Sequence, residues 1–121
     1  MATLVVDVGE QWIVDKMQGT VSTTPEWVAW GTGAGTAAET DTTLFTEASE
    51  ARVQGTMSQP TADVLRVVGT ITADAAKTIT NAGTFTASSG GTLIVKGDFA
   101  GQALNAGDKI EFTIEITIGG A

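Results

Sequence analysis

The chain has 121 residues, of which 42% are hydrophobic and 17% charged, and its net charge at pH 7 is −8. That length supports one domain with one core, and so acidic a surface repels duplex nucleic acid and anionic bilayers, so neither is an expected partner. Cys, His and Tyr are all absent. Their absence rules out disulfides, thiolate nucleophiles and the commonest general base and transition-metal ligand.

Residues 1–8 lack the basic stretch of a secretory signal, and no run approaches the ~18 apolar residues of a membrane-spanning helix. Starting at Met1 with no tag, the chain reads as a whole gene product and as a single domain, 1–121. Residues 1–7 form a short apolar arm, extended around Leu4, Val5 and Val6. Asp7 and Glu10 have the spacing of a capping box. Trp12, Ile13 and Met17 then share one helical face, and Gly19 supplies a stop. This predicts one amphipathic helix over 8–18, anchored by Trp12.

After Pro25 a strand is expected at 26–31. Trp27 and Ala29 lie on one face and Val28 and Trp30 on the other, so both sides need a cover. Residues 31–50 read as a long Gly/Thr/Ala/Glu loop pinned by Leu44 and Phe45, with a helical turn around 41–47 as an option. A loop of that length in a compact domain is often functional. Four strands follow at 51–58, 63–73, 77–87 and 92–99, with a bulge around Asn81 and Gly83 in the third. Ser88-Ser89-Gly90-Gly91 makes 77–99 a hairpin, and Asn105-Ala106-Gly107-Asp108 is a second turn. The last strand, 109–118, alternates most cleanly. Ile110, Phe112, Ile114, Ile116 and Ile118 face a core, while Lys109, Glu111, Thr113, Glu115 and Thr117 face water. Six or seven strands with turns every 8–12 residues make residues 26–118 an antiparallel β-sandwich or jelly-roll-like domain, mainly β with one short N-terminal helix.

Chemical motifs are few. Gly31-Thr32-Gly33-Ala34-Gly35-Thr36 has the outline of a phosphate loop. However, Thr36 replaces the third Gly of a dinucleotide fingerprint, and no Lys lies between Lys16 and Lys77 to complete a P-loop. Asp41, Glu47 and Glu50 are hard oxygen donors near one another, but their spacing fits no EF-hand. They read as solvated loop carboxylates, with Ca²⁺ as the alternative. Asp98 and Asp108 flank the last turn and would suit a paired-carboxylate hydrolase only across a cleft. No Ser has a His or a Ser-x-x-Lys partner to activate it. Arg52 and Arg66 lie within strands, where each can pair a Glu on a neighbouring strand or a subunit. Trp12, Trp27 and Trp30 serve the core or, for at least one of them, an interface. No catalytic, metal or cofactor-binding residue is assigned.

Several short motifs resemble one family. They are Trp27-Val28-Ala29-Trp30-Gly31-Thr32-Gly33, Glu39-Thr40-Asp41-Thr42, Glu47 followed by Arg52-Val53-Gln54-Gly55-Thr56, Val67-Val68-Gly69-Thr70-Ile71, Ile79 to Phe85, and Gly107-Asp108 with the strand after it. Together they resemble small structural proteins of tailed bacteriophages, over residues 26–118. The resemblance implies a non-enzymatic virion component without cofactors. It is either a capsid decoration (cement) protein, commonly a homotrimer, bound to the major capsid protein on the outer surface of the head, or a tail-fibre-like receptor- or glycan-binding module. On that reading the expected partner surface comprises Leu4, Val5, Val6, Trp30, Leu44 and Phe45. Strand addition by the arm is the expected means of attachment.

Overall fold

A computed structural model of the chain describes residues 3–119; residues 1 and 2 of the expected arm lie outside them. In chain order the elements are β1 (Thr3–Val5), α1 (Asp7–Gln18), β2 (Trp27–Gly31), β3 (Val53–Gln54), β4 (Thr56–Thr61), β5 (Val64–Thr72), β6 (Lys77–Phe85), β7 (Leu93–Leu104) and β8 (Lys109–Thr117). They form two antiparallel sheets. The large one has the order β1-β7-β6-β2-β3 and the small one the order β4-β5-β8. The chain is therefore a β-sandwich with one short helix.

The central core lies between the sheets. Val28, Trp30, Ile79 and Ala82 pack there with Val67 and Ile71, joined by the partly buried Phe112 and Ile114. Trp30, 1% exposed, meets Phe112 edge-to-face with ring centroids 6.3 Å apart, a favourable aromatic geometry. A second cluster of Val6, Ala29, Leu44, Phe85 and Leu93 has Trp27 packed against it. Trp27 and Trp30 thus occupy opposite faces of β2, as the alternation requires, and both faces of the large sheet are covered.

The helix departs from its expected form in two ways. Its N-cap is Val6, with no side-chain cap, and Asp7 is already helical, so the Asp7–Glu10 capping box does not form. The N–H of Glu10 bonds instead to the carbonyl of Val6. Met17 is 80% exposed. Contact with the sheet comes from the first half of the helix, where Gly9 lies so close to the Ile94 backbone that a Cβ would collide with it. Half-buried Trp12 packs near Ile94 and donates from Nε1 to Thr23 Oγ1 at 2.9 Å. At the other end Gly19 adopts the left-handed conformation, φ 78°, and the Thr20 N–H bonds to the Asp15 carbonyl, closing the helix as expected of a glycine cap.

Three strand boundaries also differ. The expected strand 51–58 is two strands in different sheets, because the chain crosses between layers at Gly55. A Cβ at Gly55 would press on Val67 and on the Val68 and Glu26 carbonyls, so the crossing needs glycine. β7 runs on to Leu104, well past 99. The arm is no free tail: β1 pairs with β7, Thr3 opposite Gly97 and Val5 opposite Val95. Among the described residues eight strands thus replace the expected six or seven. A register shift lies between Ile79 and Asn81, but its extra residues are 99–101 of β7 rather than residues of β6, and Gly83 pairs in regular register with Lys96; residues 41–47 contain turns and no helix.

Candidate functional site

The long segment between β2 and β3 was the first candidate for a recognition loop. Polar anchors from several strands hold it against the outer face of the large sheet. Asn81, fully buried, grips the Phe45 backbone from both sides. Its Oδ1 accepts from the Phe45 N–H at 3.0 Å, and its Nδ2 donates to the Phe45 carbonyl at 3.1 Å. The Lys96 side chain, 1% exposed, meets Asp41 Oδ2 at 2.9 Å, donates to the Thr43 carbonyl at 2.8 Å and sits 3.3 Å from the Phe45 ring centroid, a cation–π contact. Asp98 accepts from the Ala37 N–H at 2.9 Å. Arg52 closes the far end. It pairs with both Glu47 oxygens, at 2.9 and 3.0 Å, donates to the Ala87 and Gly90 carbonyls and lies over the Phe85 ring.

These anchors account for the motifs singled out in the sequence. The three candidate Ca²⁺ ligands each face a different cation: Asp41 faces Lys96, Glu47 faces Arg52 and Glu50 faces Lys77. Among the described residues no cluster of three metal-ligating side chains occurs. Glu50 also accepts from Trp30 Nε1 at 2.9 Å and from the Asp74 N–H at 3.0 Å. Burial pushes its carboxyl up, but Lys77 and these two donors outweigh that and hold it down at about 2. The amide donated by Ala38 lowers the Asp41 carboxyl, and Lys96 adds to the effect against a cost of burial. The glycine-rich run offers no phosphate cradle: the Thr32 and Gly33 N–H groups bond to the Thr46 and Phe45 carbonyls. Asp98 and Asp108 hold different segments, since Asp108 accepts from the Asn105 N–H at 2.8 Å within its own turn.

The expected partner residues divide in two. Val6, Trp30 and Leu44 are buried in the chain's own cores. Leu4 and Val5 belong to the paired β1, and Phe45 lies against Lys96. As side chains offered to another molecule, the buried three are unavailable. Reading the sequence one strand at a time missed Lys96 and Asn81. The available signal was a lysine directly after the apolar run Leu93–Val95 of one strand, which needs a counter-charge when both faces of its sheet are covered.

The open surface lies elsewhere. A sheet edge presents unpaired main-chain groups and is a template for another strand unless it is blunted. β1 and β3 are edges of three and two residues. β4 carries Pro60 and a register shift between Ser58 and Thr61. Among the described residues the β1 pairing ends at Gly97, and beyond it Phe99, Ala100 and Gly101 bulge opposite the single Thr80. β8 alone among the described strands has a long unblunted edge: nine residues, in uninterrupted register with β5, with no proline. The bonds from the Ala73 N–H to the Asp108 carbonyl and from the Ile118 N–H to the Asp63 carbonyl bracket its ladder. Antiparallel alternation then turns the main-chain groups of Ile110, Phe112, Ile114 and Ile116 toward β5. Those of Lys109, Glu111, Thr113, Glu115 and Thr117 point to the open side.

The apolar row of β8 is less buried than its alternation promised. Ile116 is buried, Ile110, Phe112 and Ile114 are half-buried, and Ile118 is 62% exposed. Phe112 and Ile114 line a cleft of about 180 Å³ between β8 and the β1–β7 edge, with Thr3, Gly97 and Phe99 on its other wall. On the wet face Arg66 pairs with Glu115 at 2.7 Å directly across the β5–β8 ladder, the cross-strand pairing expected of an Arg within a strand.

Fold and site together define an antiparallel β-sandwich with a firmly anchored loop and one long free edge. No family model, curated protein or solved structure matches the chain.

Proposed function

We propose that the chain is a non-enzymatic structural protein of a tailed-phage virion, a capsid decoration protein that binds the major capsid protein at the outer surface of the head. The observation that carries this reading is the β8 edge. It offers a row of unpaired main-chain groups beside an apolar row that the chain itself covers only in part. The motif resemblance over residues 26–118 supplies the virion context. The anchored loop supports the same reading, because ion pairs that fix a loop to a sheet give a rigid scaffold. Attachment works by burial of apolar surface and by strand addition, without chemistry. β1 is already part of the large sheet, so the attaching edge is β8, not the N-terminal arm.

Co-sedimentation of the folded chain with undecorated phage capsids at moderate salt tests this. Saturable binding that raises the melting temperature of the shells is expected. A folded chain that stays in the supernatant with every shell tried overturns the assignment.

A further inference from the structure

We propose that the strand completing the β8 edge is β8 of a second copy of this chain, related by a two-fold axis at Phe112. The two small sheets then join into one continuous six-stranded sheet. This rests on the structural-protein reading and names the occupant of that edge in the free protein; on attachment a capsid strand takes the second copy's place.

Main-chain parity limits the ways in which two β8 edges can pair. Outward-facing residues must meet outward-facing residues, so the odd-numbered positions of one copy lie opposite those of the other. With the axis at Phe112, Lys109 of each copy lies opposite Glu115 of the other, and Glu111 lies opposite Thr113. Ile110 lies opposite Ile114, and Phe112 opposite itself. Opposite charges therefore meet twice and like charges never do. Glu115, bridged to Arg66 on its own β5, gains a second cation on its other side. Roughly eight main-chain hydrogen bonds form, and the half-buried Phe112 rings meet at the axis.

The neighbouring registers are poorer. Moving the axis to Thr113 sets Glu111 against Glu115 twice, and directly opposed like charges destabilise a pair of strands. Moving it to Ile114 leaves Lys109 without a carboxylate. Charge and overlap together select one register of an edge that lacks a bulge or proline to prevent pairing, since an axis at Ile110 also sets Lys109 against Glu111 twice but overlaps only residues 109–111 of the strand. Each copy carries an overall charge of −8 and the two repel at long range, so pairing rests on the local charges of the edge. The edge carries Lys109 beside Glu111 and Glu115, so it is self-complementary, and isologous pairing of such a surface closes as a dimer.

Thr113→Pro separates edge pairing from folding. The Thr113 N–H points outward, so a proline there removes a donor from the new ladder and none from β5–β8. Light scattering of the wild type at micromolar concentrations is expected to give twice the mass of one chain. Thr113→Pro is expected to give the single-chain mass with an unchanged circular dichroism spectrum. Lys109→Glu, at an exposed position, reads the register even if the proline variant fails to fold. It is expected to raise the dimer dissociation constant roughly tenfold or more, and an unchanged constant overturns the Phe112 axis. A monomeric or trimeric wild type overturns the dimer. Capsid binding by such a monomer or trimer leaves the decoration reading standing, while a dimer that binds no capsid does the reverse.

Discussion

The two sheets treat charge and edges in opposite ways. In the large sheet the charged groups lie inside: Lys96 is as buried as Trp30, and Glu50 and Lys77 are nearly so. Every edge of that sheet is short or bulged. In the small sheet the charges lie on the surface, every residue of β4 is exposed, and β8 ends the sheet with a long regular edge. The loop anchors add rigidity where the large sheet is already covered on both faces, and association is left to the layer that has one wet face. A partner can join the small sheet without disturbing any of the buried ion pairs.

Four substitutions test that division. Trp30→Ala removes the residue that both layers share and should cost about 3–5 kcal/mol by chemical denaturation. A loss confined to the large sheet would mean that the layers are not one cooperative unit. Lys96→Met should cost about 2 kcal/mol, because it leaves Asp41 and the Thr43 carbonyl without their buried donor. Hydrogen exchange should show the amides of 37–46 opening while β5 and β8 stay protected.

Glu50 gives the comparison a pH axis. Its native carboxyl lies at about 2, below the ordinary 4.5, so between those values the unfolded chain binds the proton and the native one does not. Its contribution is complete above pH 4.5 and is lost as the pH falls toward 2. Melting temperatures of the wild type should fall across that window, and Glu50→Gln should flatten the decline. The smallest effect is expected from Arg66→Ala. The pair it breaks is about 40% exposed on both sides, so the loss should stay below about 0.5 kcal/mol. A larger loss would show that the small sheet depends on its surface charges after all.

The same division sets what could be read from the sequence. β8 and the β6–β7 hairpin were legible because strict alternation and a Gly-rich turn are local signals. The crossing at Gly55 was hidden, since Val53 to Ser58 reads as one continuous strand and nothing in it marks a change of sheet. β7 was cut short because Ala100, Gly101, Gln102 and Ala103 lack the apolar alternation of a half-buried strand. Met17 was placed by helical spacing alone, which shows a face but not how far along the helix the contact extends. The loop anchors were the least legible feature. Asp41 and Lys96 lie 55 residues apart, and a pairing at that distance leaves no local pattern. Ile118 was assigned to the buried face by period, yet it lies past the end of β8 and beyond cover.

The pairing of β1 with the middle of β7 also bears on how the chain acquires its shape. Thr3, Leu4 and Val5 leave the ribosome well before the strand they join. Until it arrives, Val6 lacks its main-chain partner, the Ile94 carbonyl, and Gly9 has no Ile94 backbone to lie against. Closing so long a loop is slow. The β1 segment is therefore made before its partner and can dock only after translation has passed β7.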